Sequence, residues 1–176
     1  HALRILDASH SQIVQLAADQ FADSPKEPVL SRKTVSGVNL NKVKGVTINP
    51  VTNRIFLVTS KPDLLIELSA TGQVSRLWSL ASLGIHNAAG LVFAPTGDPT
   101  DDPEKLAVNI LDAGTADNSA SGNGSRILEV SLEISAVEPL AETFPVQIVN
   151  SVRLSTWNPP SPDAAGIAYW PATGGL

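Results

Sequence analysis

Hydrophobic and polar positions along this chain fall into short, separated runs rather than helical stripes. Arg54-Ile55-Phe56-Leu57-Val58, Leu64-Leu65-Ile66-Glu67-Leu68, Gln73-Val74-Ser75-Arg76-Leu77-Trp78 and Leu106-Ala107-Val108-Asn109-Ile110-Leu111 are rich in aliphatic and β-branched residues and are flanked by Gly, Pro, Asn, Ser and Thr. That combination predicts β-strands joined by turns. Leu64–Leu68, the turn Ser69-Ala70-Thr71-Gly72 and Gln73–Trp78 read as strand, turn, strand, with Arg126-Ile127-Leu128-Glu129-Val130 through Val137 as a weaker counterpart. The N-terminal stretch Leu3 to Leu16 reads as the same kind of hairpin. A short helical turn is allowed over residues 14–22, where Pro25 and Pro28 stop anything longer.

One pattern recurs. Gly45-Val46-Thr47-Ile48-Asn49-Pro50 returns as Gly90-Leu91-Val92-Phe93-Ala94-Pro95 and as Gly166-Ile167-Ala168-Tyr169-Trp170-Pro171. Each apolar run ends in turn chemistry: Val51-Thr52-Asn53, Thr96-Gly97 and Ala172-Thr173-Gly174. The glycines are 45 and 76 residues apart. A four-stranded unit of about 40 to 45 residues is the period of a propeller blade, and inserted loops lengthen the second interval. A Gly opening the inner strand is what crowding between neighbouring blades requires, because it has no Cβ to collide.

The expected architecture is therefore all-β, a β-propeller segment of four-stranded antiparallel blades forming one partial domain over residues 1–176. Residues 1–17 form a half-blade, 43–80 a blade, 87–153 a blade with inserted loops, and 163–176 the start of another. A closed propeller needs about four blades or more. The chain is thus expected to be a fragment of a longer polypeptide, the other possibility being that several copies assemble through their open edges. The sequence stops at Gly175-Leu176, where the next strand is expected to begin, which favours the first expectation.

Gly-Val-Thr-Ile-Asn-Pro-Val-Thr-Asn-Arg-Ile-Phe-Leu-Val from Gly45, followed by Ile66-Glu67-Leu68-Ser69-Ala70-Thr71-Gly72-Gln73-Val74, resembles blades of six-bladed propellers of the NHL, YVTN and SdiA-regulated group. The resemblance implies six blades and architecture rather than activity, because folds of this kind host unrelated functions. In such blades, residues 17–42, 60–63, 81–88, 112–125 and 141–162 would share one face. Loops this long mark the default binding surface.

Composition narrows the function classes. The 176 residues are 43% hydrophobic and 16% charged, with 12 Gly, 13 Pro and no Cys or Met, which excludes collagen-like, disulfide-stapled and disordered chains. A net charge of −5 without a Lys/Arg cluster argues against nucleic acid. No run approaches the roughly 18 apolar residues of a membrane-spanning helix. Few charges, many small polar residues and no easily oxidised sulfur suit an extracellular or periplasmic bacterial protein.

Candidate chemistry is sparse. Asp112, Asp117, Asn118 and Asn123 lie in a Gly- and Ser-rich stretch whose hard oxygens suit Ca²⁺, although the spacing is not that of an EF-hand; Asp98, Asp101 and Asp102 form a weaker acidic turn. Asn87 and Asp163 each stand three residues before a repeated glycine. The resemblance implies that these positions approach the channel mouth, where some propeller lactonases hold a divalent ion. Those enzymes read Asn-Gly-Leu-Ala-Phe, whereas Ala89 and Ala165 precede the glycines here. Trp157 and Trp170 are candidates for stacking on sugars, and Trp78 for packing between blades. His10 and His86 lack a Gly-x-Ser-x-Gly elbow, so nucleophilic catalysis has no local signature. The expected function is a non-catalytic binding or surface propeller offering its long loops to a protein or glycan. The alternatives are a metal-dependent hydrolase of the phytase, esterase or lactonase kind, with most of its site in further blades, and a structural subunit assembling through blade edges.

Overall fold

The structure is a computed structural model; it describes residues 2–17, 30–97, 106–114, 124–132, 143–144 and 146–153. Among these the chain is all-β, and helical geometry is confined to the 3-10 turns Leu40–Lys42 and Ala81–Leu83. No helix among the described residues is long and apolar enough to cross a membrane. The strands are β1 (Ala2–Asp7), β2 (Gln12–Ala17), β3 (Leu30–Thr34), β4 (Val43–Ile48), β5 (Ile55–Thr59), β6 (Leu64–Leu68), β7 (Val74–Ser79), β8 (Ala88–Pro95), β9 (Leu106–Asp112), β10 (Arg126–Leu132), β11 (Thr143–Phe144) and β12 (Val146–Arg153).

They form three sheets in the orders β1-β2-β3, β4-β5-β6-β7-β11 and β8-β9-β10-β12, with antiparallel pairing throughout except β11, which runs parallel to β7. Turn chemistry explains the hairpins. At the β4–β5 turn the Asn49 Oδ1 accepts from Val51 N at 2.9 Å and Thr52 N at 3.0 Å, while Asn53 takes the left-handed conformation at φ 57. At the β6–β7 turn Gly72, at φ 88, donates its N–H to Ser69 O at 3.0 Å.

The central sheet is sandwiched, which is why all five residues of β5 are buried. Alternate side chains point to opposite faces. Phe56 and Val58 enter a core shared with Trp78, Phe93, Val108 and Leu128, whereas Ile55 and Leu57 enter one shared with Ile13, Val35 and Leu40. Phe56 meets Phe93 edge-on at 4.9 Å and stacks on Trp78 at 5.9 Å, so the aromatic trio ties the second sheet to the third. Such pairs contribute about 0.5 to 1.5 kcal/mol each beyond the area they bury.

The second and third sheets carry irregularities at matching places. The β4–β5 register shifts between Val43 and Gly45, and the β8–β9 register between Ala88 and Gly90. The β6–β7 register shifts just after Glu67, and the β10–β12 register just after Glu129. A bulge leaves one residue unpaired and increases local twist.

Two expected loops contain strands. Residues 17–42 include β3, which pairs with β2 and makes the N-terminal sheet three-stranded rather than a two-stranded half-blade. Residues 141–162 include β11 and β12, and β12 pairs with β10; the expected return through Val137 lies outside the described residues. Loop-like composition hid both. Leu30-Ser31-Arg32-Lys33-Thr34 is polar for a strand, but its backbone completes the edge of β2. β2 itself runs as strand through Ala17, so no helical turn forms over residues 14–17.

Candidate functional site

The loop-bearing end of the third sheet is organised by one carboxylate. β9 ends at Asp112, which lies across from Ala88 on one side and Arg126 on the other, and is 1% exposed. Its Oδ1 accepts from Asn87 N at 3.0 Å, Gly114 N at 3.1 Å and His86 N at 3.4 Å. Its Oδ2 takes Arg126 Nε and Nη2, each at 3.2 Å. The same guanidinium donates to Gly84 O, Ala113 N donates to Asn87 O at 2.9 Å, and Ser125 Oγ donates to Ala113 O at 3.1 Å. Asp112 therefore fastens the 84–87 connection to both ends of the 112–125 loop. A buried carboxylate needs such partners, because an unpaired one carries a desolvation cost of several kcal/mol.

Of the residues singled out from sequence, Asp112 and Asn87 meet here, through the Asn87 backbone, while the Asn87 residue is exposed. Asp117, Asn118, Asn123, Trp157, Asp163 and Trp170 lie outside the described residues, as do Asp98, Asp101 and Asp102. As a Ca²⁺ ligand Asp112 fits poorly, since both of its oxygens are engaged by N–H donors and a cation would have to displace the Arg126 guanidinium. Trp78 packs, fully buried, in the core between the second and third sheets.

Two further carboxylates escaped the sequence reading. Glu67 in β6 is buried and sits between Arg54 Nη1, 2.9 Å from its Oε1, and Arg76 Nη1, 3.4 Å from its Oε2. Glu129 in β10 is equally buried and accepts from Thr96 Oγ1 at 2.7 Å and Gly97 N at 3.0 Å with one oxygen. Each clamps the region where the first strand of its sheet turns into the second. The available signal was a single acid inside an apolar run, Ile66-Glu67-Leu68 and Leu128-Glu129-Val130.

His10, Asp7 and Ser9 cluster in the β1–β2 turn, yet not as a catalytic relay. His10 Nδ1 contacts both Asp7 Oδ2 at 2.7 Å and Ser9 Oγ at 3.0 Å, so the carboxylate and the hydroxyl share one ring nitrogen. A relay needs them on opposite nitrogens. The hydrogen bond from Ser9 Oγ, at 2.6 Å, outweighs partial desolvation and, with those of His10 and Gln12, holds the Asp7 carboxyl well below the usual range.

No protein-family model, curated protein or solved structure matches this chain.

Proposed function

We propose that this chain is part of a six-bladed β-propeller of the NHL, YVTN and SdiA-regulated kind, exported from a bacterial cell, and that it works by binding a protein or glycan with the long loops of one face. The blade reading is supported by the repeated Gly-x-x-x-x-Pro segments, by two successive four-strand meanders and by their matching bulges beside Gly45 and Gly90 and after Glu67 and Glu129. The observation that carries the binding reading is Asp112. Its hydrogen bonds brace the bases of the 81–88 and 112–125 connections against each other, giving a fixed platform for the residues between. Preorganised loop bases lower the ordering cost of binding. The three buried acids Glu67, Asp112 and Glu129 serve as internal clamps, which also fits a scaffold that presents loops. Any Ca²⁺ steadying this face would rest on Asp117, Asn118 and Asn123.

The test is a glycan array and a panel of exported bacterial proteins probed with the chain and with a variant whose residues 115–123 are replaced by a Gly-Ser linker. Binding that is saturable and lost in the variant is expected. Divalent-ion-dependent turnover of phosphate-ester, carboxylic-ester or lactone substrates by the unaltered chain would instead place the protein among hydrolases.

A further inference from the structure

Between the first and second sheets lies the apolar core of Ile13, Val35, Leu40, Leu57 and Ile66. At the end where the β4–β5 and β6–β7 turns lie, the crevice opens into a cleft of about 210 Å³ lined by Arg4, Gln15, Lys33, Asn53, Arg54 and Ser69, and also by Ile13 and Ile55. Arg4 donates by Nε to Gln15 Oε1 at 3.2 Å and by Nη1 to Asn53 O at 3.4 Å, and Lys33 Nζ donates to Ala70 O at 2.7 Å. All three acceptors are neutral. Among the described residues neither cation has a carboxylate within ion-pair reach, and no carboxylate lines the cleft. The Arg4 Nη2 group and two of the three ammonium protons of Lys33 are left without an acceptor among those residues. Arg54 differs, since its Nη1 lies 2.9 Å from Glu67 Oε1. In a chain of net charge −5, two half-buried cations without acids in one cleft make a local attraction for an anion.

The placement of the two cations says what kind of anion fits. Arg4 is on β1 and Lys33 on β3, with β2 between them, so their backbones stand two strand spacings, about 10 Å, apart. Each is tied to a different turn of the second sheet, Arg4 to Asn53 and Lys33 to Ala70, which keeps them from converging on one point. Ile13, across from Lys33 on β2, puts an apolar side chain on the face they share. The match is one negative group for each cation, joined by a short apolar span. Carboxylates suit both ends, since a guanidinium binds them as a fork and an ammonium as a point charge. The cleft is also separate from the long loops. β7 runs from the Ser69–Gly72 turn toward the 81–88 connection, so the cleft is at the opposite end of the second sheet from the loop bases that Asp112 fastens.

We propose that this cleft binds a short dicarboxylate, Arg4 taking one carboxylate and Lys33 the other. The inference stands apart from the propeller reading and from the loop-face ligand. Its test is titration calorimetry of the full chain with glutarate, beside butyrate, which has one carboxylate, and inorganic phosphate, a compact anion. Glutarate is expected to saturate a single site, to weaken as salt is raised, and to bind about tenfold or more tightly than either comparison. Arg4→Gln and Lys33→Gln should each bring glutarate down to the level of butyrate. Because both side chains also tie the two sheets together, a second measurement uses the unaltered chain. Glutarate should shift the amide resonances of Gln15, Asn53, Arg54 and Ser69 and leave those of Asn87 and Gly114 in place. Absence of glutarate binding, equal binding of butyrate or phosphate, full affinity in either Gln variant, or shifts centred on Asn87 and Gly114 would each overturn the assignment.

Discussion

Gly90 occupies the space that a side chain on Gly45 would need. A Cβ at Gly45 would stand 2.8 Å from Gly90 Cα and 3.1 Å from Leu91 N, and both obstacles are backbone atoms that no rotamer change can move. The first strands of the second and third sheets therefore approach as closely as they do because Gly45 has no side chain at this crossing. Gly45→Ala should lower stability by about 1 to 3 kcal/mol, as overpacking of a tight core does. Urea denaturation followed by tryptophan fluorescence measures it, and an unchanged midpoint would mean that the sheets do not meet at this point.

The hairpin turns invite opposite substitutions. Ser11 holds φ 52 in the β1–β2 turn, and Gly72 holds φ 88 in the β6–β7 turn. Left-handed backbone strains every residue with a Cβ, so Ser11→Gly is expected to raise stability by about 0.5 kcal/mol after the entropy of the added glycine is subtracted. Gly72→Ala adds the strain and also brings a Cβ to 2.5 Å from Thr34 O, so a loss of more than about 1 kcal/mol is expected. Paired thermal melts test both; a gain from Gly72→Ala would contradict the turn geometry.

Asp112→Asn removes the charge that Arg126 faces while keeping the shape. With a buried partner lost, about 2 to 4 kcal/mol should go. Hydrogen exchange at the Asn87 and Gly114 amides, both bonded to Asp112 Oδ1, should accelerate more than exchange at core amides of β5. Uniform acceleration would show that Asp112 supports the sheet as a whole rather than the loop bases.

Asp7 sets a pH dependence. Its folded-state pKa is lowered, first of all by the Ser9 hydrogen bond, so its stabilising contribution is complete above the ordinary carboxylate pKa of 3.8 and is lost as pH falls from there toward the lowered folded-state value. Stability of the unaltered chain should therefore decline in acid more steeply than that of Asp7→Asn. Parallel denaturation curves of the two proteins across the acid range would count against the depressed pKa.

How much of this was legible beforehand follows from particular residues. The strands at 55–59, 64–68, 74–79 and 106–112 could be read because dense apolar runs bounded by Pro, Gly and Asn specify strands and turns locally. Asn49 and Gly72 carry their turn chemistry in their own side chain, or lack of one. β3 could not be read, since Leu30-Ser31-Arg32-Lys33-Thr34 has little to bury and is a strand because β2 needs a partner. Asp112 was visible as a hard-oxygen ligand in a flexible loop, but its burial and its bond to Arg126 arise only when β8, β9 and β10 align their ends. Local sequence thus determined where strands and turns form, through propensity and steric limits at single residues. Which strand pairs with which and which acid becomes an internal clamp are decided by tertiary packing, because each depends on residues far apart in the chain that meet only once the sheets stack.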